Sequence, residues 1–401
     1  MSHSISSNLT VAPAIIHPTG QDIELQRILG SYGGDVPGPL VIGLGGLHGN
    51  EPAGVRALQQ VVQTLQATAP PLRGKFLALA GNLTALQRGT RFVERDLNRM
   101  WSPERVRALN AQTLPTPETV EETEQKELLA VIEAALNTNP KDVIFLDLHT
   151  TSSDGAPFAL ISDTLTNRKL AQALGTPLIL GLEESLDGTI LNYVNELGHA
   201  AIGFEAGQHK APQTIANHVA AVWITLVEAG CLNPEDVPEL AAHRQRLQQA
   251  SQTLPPVFEV RYRHAITVDD AFVMRPGFAN FTRVTKQQNV AADRHGAVRV
   301  PETGFLFMPL YQSLGEDGFF VVREVKPFWL RVSEWLRNNG ADEWLHLLPG
   351  VHYLAGDKNS LIINTKIARW FVLEICHLLG FRKYSRINNQ LVISRRKQAY
   401  G

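Results

Sequence analysis

Cysteine is scarce in this 401-residue sequence, which contains only Cys231 and Cys376 and no CxxC pair. This scarcity excludes a disulfide framework and a thiolate metal site, and it makes a reducing cytoplasm the expected location. The sequence also lacks an apolar run of about 18 residues, the length from which membrane-spanning helices are built. The opening residues MSHSISSNLT have neither the basic nor the apolar region of an export signal, so we expect no export and no membrane partner.

An excess of charge of one sign is absent as well. Lysine and arginine together number 37, aspartate and glutamate 39, and the formal net charge is -2. A chain without a basic excess has little to neutralise a phosphate backbone, so we expect no nucleic-acid partner. With 44% hydrophobic and 19% charged residues, the composition is that of a soluble globular protein, and it leaves the number of subunits open.

Between Pro39 and Gly207, short apolar runs alternate with longer stretches of helical period. This alternation predicts an α/β domain in which helices cover a sheet of buried strands. The predicted strands are Leu40 to Leu44, Lys75 to Ala80, Val143 to Leu148, Pro177 to Leu182 and Ala200 to Glu205. The main predicted helices are Glu118 to Leu136, Thr214 to Ala229 and Asp236 to Leu254.

The double proline Pro255-Pro256 is the predicted end of this domain, which would comprise residues 1–255. Residues 256–326 are rich in β-branched and aromatic residues and punctuated by glycines, which predicts a small antiparallel β unit. Residues 327–401 contain four tryptophans and apolar helical spacing, as from Ile367 to Leu379. We therefore expect a helical C-terminal appendage.

Two segments place potential metal ligands at the ends of predicted strands, where the sites of α/β sheets assemble. In GLGGLHGNEPAG, glycines flank His48 and Glu51, and an HxxE pair on a turn can bring an imidazole and a carboxylate to one ion. In VIFLDLHTT, a buried strand ends in Asp147 and His149. Each segment alone has a simpler explanation, because Glu51 suits the first turn of a helix and His149 could cap a loop.

A third segment, GNLTALQRGTRFVERDLNRMW, concentrates arginines, among them Arg91 and Arg99, beside Asp96 and Asn98. Guanidinium groups bind carboxylates through paired hydrogen bonds, so this density indicates a bound anion. The alternative is a solvated loop of arginine and aspartate pairs.

In a fourth segment, AAIGFEAGQH, Glu205 ends an apolar strand between two glycines. Partial desolvation there would raise the pKa of the carboxyl and suit it to proton transfer. The alternative for Glu205 is a buried salt bridge.

Taken in order, the four segments resemble the aspartoacylase and succinylglutamate desuccinylase family, relatives of the zinc carboxypeptidases. The matching motifs are HGNE at residues 48–51, RFVERDLNR at 91–99, DLH at 147–149 and FEAGQ at 204–208, and four motifs in one order are far more specific than any single one. The resemblance implies a zinc carboxypeptidase-like α/β/α domain with a mixed sheet, followed by a small β domain that caps the cleft. The helical appendage lies outside the resemblance.

The resemblance also implies a role for each residue of the site. One zinc ion would be bound by His48, Glu51 and His149, with the fourth position left to water. Glu205 would be the general base toward that water, and Arg91 would stabilise the oxyanion. The other implied roles are a grip on the substrate carboxylate by Asn98 and Arg99, and orientation of His48 by Asp96.

One departure affects the expected substrate. Aspartoacylase carries a further arginine shortly before its catalytic glutamate, but the matching stretch NYVNELGHAAIGFEAG has none, and His199 is its only basic residue. The expected activity is therefore zinc-dependent hydrolysis of a small N-acyl amino acid, or a similar carboxylate-bearing amide, with the acyl group undefined. The alternatives are a zinc carboxypeptidase acting on peptide C-termini and a non-catalytic binding or scaffold protein.

Overall fold

The computed structural model of the protein describes residues 25–111, 119–183, 185–354, 356–364, 372–381, 383–387 and 390–395. Its strands are β1 Ile28–Gly33, β2 Leu40–Gly45, β3 Lys75–Ala80, β4 Val143–Thr151, β5 Phe158–Leu160, β6 Leu178–Leu180, β7 Ala200–Gln208, β8 Val257–Ala265, β9 Val273–Met274, β10 Thr282–Val284, β11 Asn289–Asp293, β12 Gly296–Arg299, β13 Gly304–Phe307, β14 Asp317–Glu324, β15 Val351–Leu354, β16 Asp357–Ile363, β17 Lys383–Ile387 and β18 Gln390–Ser394. Its α-helices are α1 Ala53–Thr68, α2 Leu83–Arg88, α3 Pro103–Asn110, α4 Val120–Leu136, α5 Leu165–Ala173, α6 Ile190–Glu196, α7 Thr214–Glu228, α8 Leu240–Ser251, α9 Pro327–Asn338 and α10 Val372–Leu378.

A mixed sheet forms the centre of the molecule and, over the described residues, has 11 strands in the order β1-β3-β2-β4-β7-β5-β6-β8-β14-β13-β10. Strands β3, β2, β4 and β7 run parallel, whereas β5 is antiparallel to β7. Helices α1, α7 and α8 pack against one face of this region, and α3, α4 and α6 against the other. The predicted α/β arrangement with a mixed sheet is therefore confirmed.

All five predicted strands are present, because each is apolar enough to be buried on both faces. Strand β3 has the predicted bounds, while β4 and β7 continue to Thr151 and Gln208. Helix α4 starts behind a capping box of Thr119 and Glu122, and its predicted first residue, 118, lies outside the described residues. Among the helices described, none combines the length and apolar character that crossing a membrane requires.

The ends of β2, β4 and β7 place the polar residues of three motifs at one edge of the sheet. In the parallel β4/β7 pair, His149 lies directly opposite Glu205. Since side chains alternate along a strand, Asp147, His149 and Glu205 project from the same face. Strand β2 pairs with β4 on the other side, which brings the turn after β2 beside these three residues.

The predicted antiparallel β unit is present as the strands from β8 to β14. Its first strand, β8, also pairs in parallel with β6, so the central sheet continues through Pro255-Pro256. The unit has its own aromatic core, in which Phe258, Phe281 and Phe307 pack against Phe158 of β5. The division into residues 1–255 and 256–326 stays a prediction.

The prediction of a helical C-terminal appendage is wrong. Besides α9 and α10, the described part of residues 327–401 contains an antiparallel sheet of four strands in the order β15-β16-β18-β17. Apolar side chains at alternate positions, such as Leu361 and Ile363, face a core shared with α10, and this period of two is that of strands. Of the predicted helical stretch Ile367 to Leu379, residues 367–371 lie outside the described residues.

A buried group of two arginines and one aspartate attaches the appendage to the α/β domain. Asp163, which follows β5, accepts hydrogen bonds from Arg168 at 2.9 Å and from Arg337 of α9 at 3.0 Å. Arg337 also donates to the carbonyl of Leu378 at the end of α10. Because removing one partner of a buried charge pair costs several kcal/mol, this group holds both helices of the appendage against the domain.

Candidate active site

The structure brings His48, Glu51 and His149 together, as the sequence predicts. One ligand atom from each of the three side chains lies within 4.8 Å of the other two, and all three residues are buried. His48 and Glu51 come from the turn between β2 and α1, and His149 comes from β4. Glycine is required in this turn, because a Cβ atom at Gly49 would lie 2.0 Å from the carbonyl carbon of Ala85.

The Glu51 carboxylate lies between the two imidazoles. Its Oε1 is 3.0 Å from His48 Nδ1, its Oε2 is 3.2 Å from His149 Nδ1, and the backbone N–H of Thr150 donates to Oε2. Burial acts to raise the pKa of the Glu51 carboxyl, but the charge of His48 and hydrogen bonds with both imidazoles hold it well below its usual range. Glu51 is therefore an anion inside the protein.

Each imidazole has a second carboxylate on its outer nitrogen. His48 Nε2 is 3.0 Å from Asp96 Oδ1, and His149 Nε2 is 2.8 Å from Asp147 Oδ2. An ionised carboxylate can only accept, so the Nε2 proton of each ring is donated to its aspartate. Nδ1 then faces Glu51, where it either donates a second proton to that carboxylate or, with a metal ion present, offers its lone pair to the ion. This is how histidines that bind metals are usually oriented.

The role of Asp96 as the partner of His48 was a sequence prediction. The corresponding role of Asp147 was not predicted, although the motif DLH contains the signal. Two residues two apart on a strand share a face, so Asp147 necessarily projects beside His149.

The charge of the buried cluster fits a bound cation. Two nitrogen lone pairs facing one carboxylate need a positive charge between them, supplied either by protons or by a metal ion. In addition, Asp147 Oδ1 and Glu205 Oε2 are buried and have no hydrogen-bond partner among the described residues. Burial acts to lower the pKa of His149, yet Asp147 and Glu51 raise it well above its usual value. These two carboxylates therefore favour a positive charge at this position. Two imidazoles and a carboxylate suit a first-row divalent ion.

Arg91 and Glu205 flank this cluster. Arg91 donates from Nε and Nη2 to Asp96 Oδ2, at 3.3 and 2.9 Å, and its Nη1 is 3.7 Å from Glu51 Oε1. Glu205 is buried, and burial raises the pKa of its carboxyl to about 8, helped by the negative charges of Glu51 and Asp147 and opposed by His149 and Arg91. A protonatable carboxyl and a fixed guanidinium thus lie beside the candidate metal ligands.

The two residues expected to hold a substrate carboxylate have other partners. The Asn98 Oδ1 atom accepts from the backbone N–H of Ile190, and its Nδ2 lies 3.5 Å from His149 Nε2. Arg99 Nε is 3.5 Å from Glu316 Oε2, and Arg99 Nη2 is 3.5 Å from Asp317 Oδ2. Asn98 is therefore packed against a histidine of the cluster, and Arg99 faces carboxylates of the β unit.

A small cavity of about 90 Å³ adjoins the cluster, and both units of the chain contribute to its walls. The α/β domain provides Arg91, Arg99 and residues 150–152, and the β unit provides residues 308–310, Gln312 and residues 315–317. A larger cleft of about 1050 Å³ lies between α5, α8 and α9 and contains none of the predicted site residues in its walls. A third cavity, of about 640 Å³, shares Arg99, Gln312 and Glu316 with the small one and has Asp96 in its wall. The small cavity is the one whose wall includes Arg91 and Thr150, next to the buried cluster.

Gln312 and His209 also lie beside the site, although neither was predicted from the sequence. Gln312 Oε1 accepts from Asn50 Nδ2 at 2.9 Å and is 3.3 Å from His209 Nε2. Asn50 and His209 belong to the HGNE and FEAGQH segments, but Gln312 is about 100 residues further along the chain, and no local pattern marks it. His199 lies just before β7, at the opposite end of that strand from Glu205, and so does not reach the site.

Residues 37–226 match the sequence profile of the succinylglutamate desuccinylase/aspartoacylase catalytic domain. Among curated proteins, the chain is similar to a succinylglutamate desuccinylase of Yersinia pestis, with 43% identity over 56 residues. That match spans 14% of this chain and 17% of the relative.

Solved structures share the fold at low sequence identity. A succinylglutamate desuccinylase of Vibrio cholerae superposes with a TM-score of 0.54 and 16% identity, over 82% of this chain and 86% of that one. A succinylglutamate desuccinylase/aspartoacylase of Rhodobacter sphaeroides gives a TM-score of 0.54 and 19% identity, over 73% and 87%. The likeness extends beyond the profile match into the β unit, because it covers more of the chain than residues 37–226.

Proposed function

Because residues 37–226 are a catalytic domain of the succinylglutamate desuccinylase/aspartoacylase family, we propose that the protein is a zinc-dependent hydrolase that cleaves the amide bond of a small N-acyl amino acid. The observation that carries the proposal is the buried convergence of His48, Glu51 and His149, with a carboxylate behind each imidazole. A protonatable Glu205 and an anchored Arg91 beside the same cluster give it catalytic rather than merely structural character.

In this proposal, one zinc ion would be held by His48, Glu51 and His149, whose Nδ1 atoms and carboxylate face one another. When bound, zinc supplies a positive charge that polarises a carbonyl group and lowers the pKa of water. Asp96 and Asp147 fix the ring orientation and the protonation of the outer nitrogens, which keeps Nδ1 available.

The protein's own groups then move the protons and stabilise the charge. Glu205 takes a proton from the attacking water and returns it to the leaving amine nitrogen, and burial keeps its pKa in the range that suits both steps. Arg91 donates N–H groups to the oxygen that becomes negative as the amide carbonyl is attacked. Its two hydrogen bonds to Asp96 hold the guanidinium in place before substrate arrives.

We propose that Arg99 binds the substrate carboxylate, with Asn98 beside it. Of the two carboxylates that Arg99 faces, Glu316 is 62% exposed and is a weak, solvated competitor for an incoming carboxylate. The other, Asp317, also pairs with Arg263 and so is shared between two arginines. Asn98 positions this guanidinium, because its backbone carbonyl accepts a hydrogen bond from Arg99 Nη1. The Asn98 side-chain amide is itself held between Ile190 and His149.

The carboxylate contact predicts the effect of Arg99→Ala. Binding of N-acyl amino acids should weaken by about 2 to 4 kcal/mol, because a charged hydrogen-bonded partner is lost. KM should rise while the metal content stays unchanged. The same variant tested on an amide analogue without the carboxylate should lose little, and an equal loss on that analogue would contradict the assignment.

The outer carboxylates predict the effect of Asp147→Asn. Zinc affinity should fall by about 10- to 100-fold, since the neutral amide no longer fixes the His149 ring. Asp96→Asn is the matched variant on the other imidazole and should behave alike. Competition titration with a chelator measures both, and unchanged affinity in Asp147→Asn would show that His149 does not need this partner.

The function itself is tested by measuring amine release from N-acyl amino acids, dipeptides and longer peptides, with and without a chelator. We expect chelator-sensitive release from N-acyl amino acids only, because the cavity is small and residues of the β unit form part of its wall. Release of C-terminal residues from longer peptides would favour a carboxypeptidase. Purified protein without stoichiometric metal and without activity would favour a scaffold.

A further inference from the structure

The segment 308–317, which runs from the end of β13 to the first residue of β14 and is here called the capping loop, contacts the α/β domain at three positions. Near its start, the backbone N–H of Tyr311 donates to Ser152 Oγ at 3.1 Å. In its middle, Gln312 contacts Asn50 and His209. At its end, Glu316 and Asp317 face Arg99. The capping loop therefore forms part of the wall of the cavity beside the candidate metal ligands.

Gln312 is held by the residues that surround the cluster. Its carboxamide oxygen accepts from Asn50 Nδ2 and lies 3.3 Å from the outer nitrogen of His209, whose inner nitrogen is 2.7 Å from Thr150 Oγ1. Thr150 in turn donates its backbone N–H to Glu51. Within the described residues, the Gln312 Nε2 group has no hydrogen-bond acceptor, so a neutral donor remains for a molecule in the cavity.

The charges in the cavity wall allow one substrate carboxylate and no more. The cationic side chains of the wall are Arg91 and Arg99. Arg91 is paired with Asp96, and Arg99 faces two carboxylates of the capping loop. A second substrate carboxylate would be desolvated without a cation of its own, which is costly.

We propose that Gln312 determines acyl-group specificity: it presents a neutral donor, and no cation, where the acyl group lies, and Asn50 and His209 are the positioning residues that hold its carboxamide. For an acetyl group the hydrogen bond goes to the second lone pair of the carbonyl oxygen, beside the one used by Arg91. The proposal rests on the function given above. It narrows the substrates to amino acids acylated by a neutral group, such as acetyl, and excludes acyl groups that carry their own carboxylate, such as succinyl.

The test compares N-acetyl-L-alanine, which has one carboxylate, with N-succinyl-L-alanine, which has two. Their binding to zinc-loaded Glu205→Gln protein is measured by calorimetry, and their hydrolysis is measured with Glu205 intact. We expect at least tenfold tighter binding of the acetyl compound. Gln312→Ala should weaken binding of the acetyl compound about 2- to 10-fold, the range for one neutral hydrogen bond, and should raise KM more than it lowers kcat. Gln63→Ala, on an exposed position of α1, is the control and should change nothing.

Two further variants distinguish the loss of the Gln312 contact with the acyl group from general structural damage. Gln312→Glu should weaken binding of the succinyl compound more than that of the acetyl compound, because it adds a like charge. Asn50→Ala should reproduce the Gln312→Ala effect, and the double variant should lose no more than either single one.

The proposal is overturned if the succinyl compound binds as tightly as the acetyl compound, if neither binds, or if Gln312→Ala leaves acetyl binding unchanged. Binding is measured on protein that does not hydrolyse the compound, so the two proposals can fail separately. If the acetyl compound binds and the binding depends on Gln312, but the protein with Glu205 intact never hydrolyses it, only the proposed function is contradicted.

Discussion

Replacing Glu205 by glutamine is expected to lower kcat by about 10²- to 10⁴-fold, the usual contribution of a general acid–base group. Glutamine preserves the shape of the buried side chain but neither accepts a proton from water nor donates one to the leaving amine. Glu205 lies opposite His149 on the neighbouring strand and is not one of the three converging ligands, so the zinc content should stay at one ion per chain. Steady-state kinetics and metal analysis of the same preparation give both numbers.

Near-normal turnover in Glu205→Gln would remove Glu205 from the mechanism. Loss of zinc from that variant would instead place Glu205 among the groups that hold the ion. Glu235→Gln is a matched control at an exposed position outside the site, and we expect it to change neither quantity.

The same substitution at Glu51 should lower the zinc affinity as well as the activity. Glu51 is the only carboxylate among the three converging residues within the described part of the chain, and its anionic form is favoured by both histidines. In Glu51→Gln the negative charge between the imidazoles is lost, so zinc affinity should fall by more than about 100-fold, the upper end for losing an outer partner. Activity should fall with it and should recover partly at high zinc concentration.

Glu51→Gln and Glu205→Gln are thus chemically identical changes with different expected consequences. The first should lose zinc and activity together, and the second should lose activity alone. If both variants kept zinc, Glu51 would not be a ligand. If Glu51→Gln kept both zinc and turnover, the site would have to lie elsewhere.

The parallel core could be predicted from the sequence because each of its strands is buried on both faces. Short apolar runs such as Val143 to Leu146 predict buried strands, and polar residues at their ends mark the edge where a site forms. The edge strand β1 was missed, since Ile28–Gly33 is half exposed and interrupted by glycine. The three short segments Phe158–Leu160, Val273–Met274 and Thr282–Val284 depend on partners distant in sequence, which no local pattern reveals.

The main residues of the candidate site could be predicted for a different reason. His48, Glu51, His149 and Glu205 each lie in a compact motif whose residue types and order are specific. Gln312 could not be found in this way, because its contacts with Asn50 and His209 arise only when the β unit folds over the sheet. The appendage was predicted to be helical from the apolar spacing of stretches such as Ile367 to Leu379, whereas strand residues such as Leu361 and Ile363 form much of its described core.

The central claim is that one divalent metal ion occupies the space enclosed by His48, Glu51 and His149. Anomalous diffraction at the zinc absorption edge, from crystals grown with zinc, measures the position of the ion directly. We expect one strong peak about 2.0–2.2 Å from Nδ1 of each histidine and from a carboxylate oxygen of Glu51. A peak at any other location, or no peak between these three side chains, would contradict it.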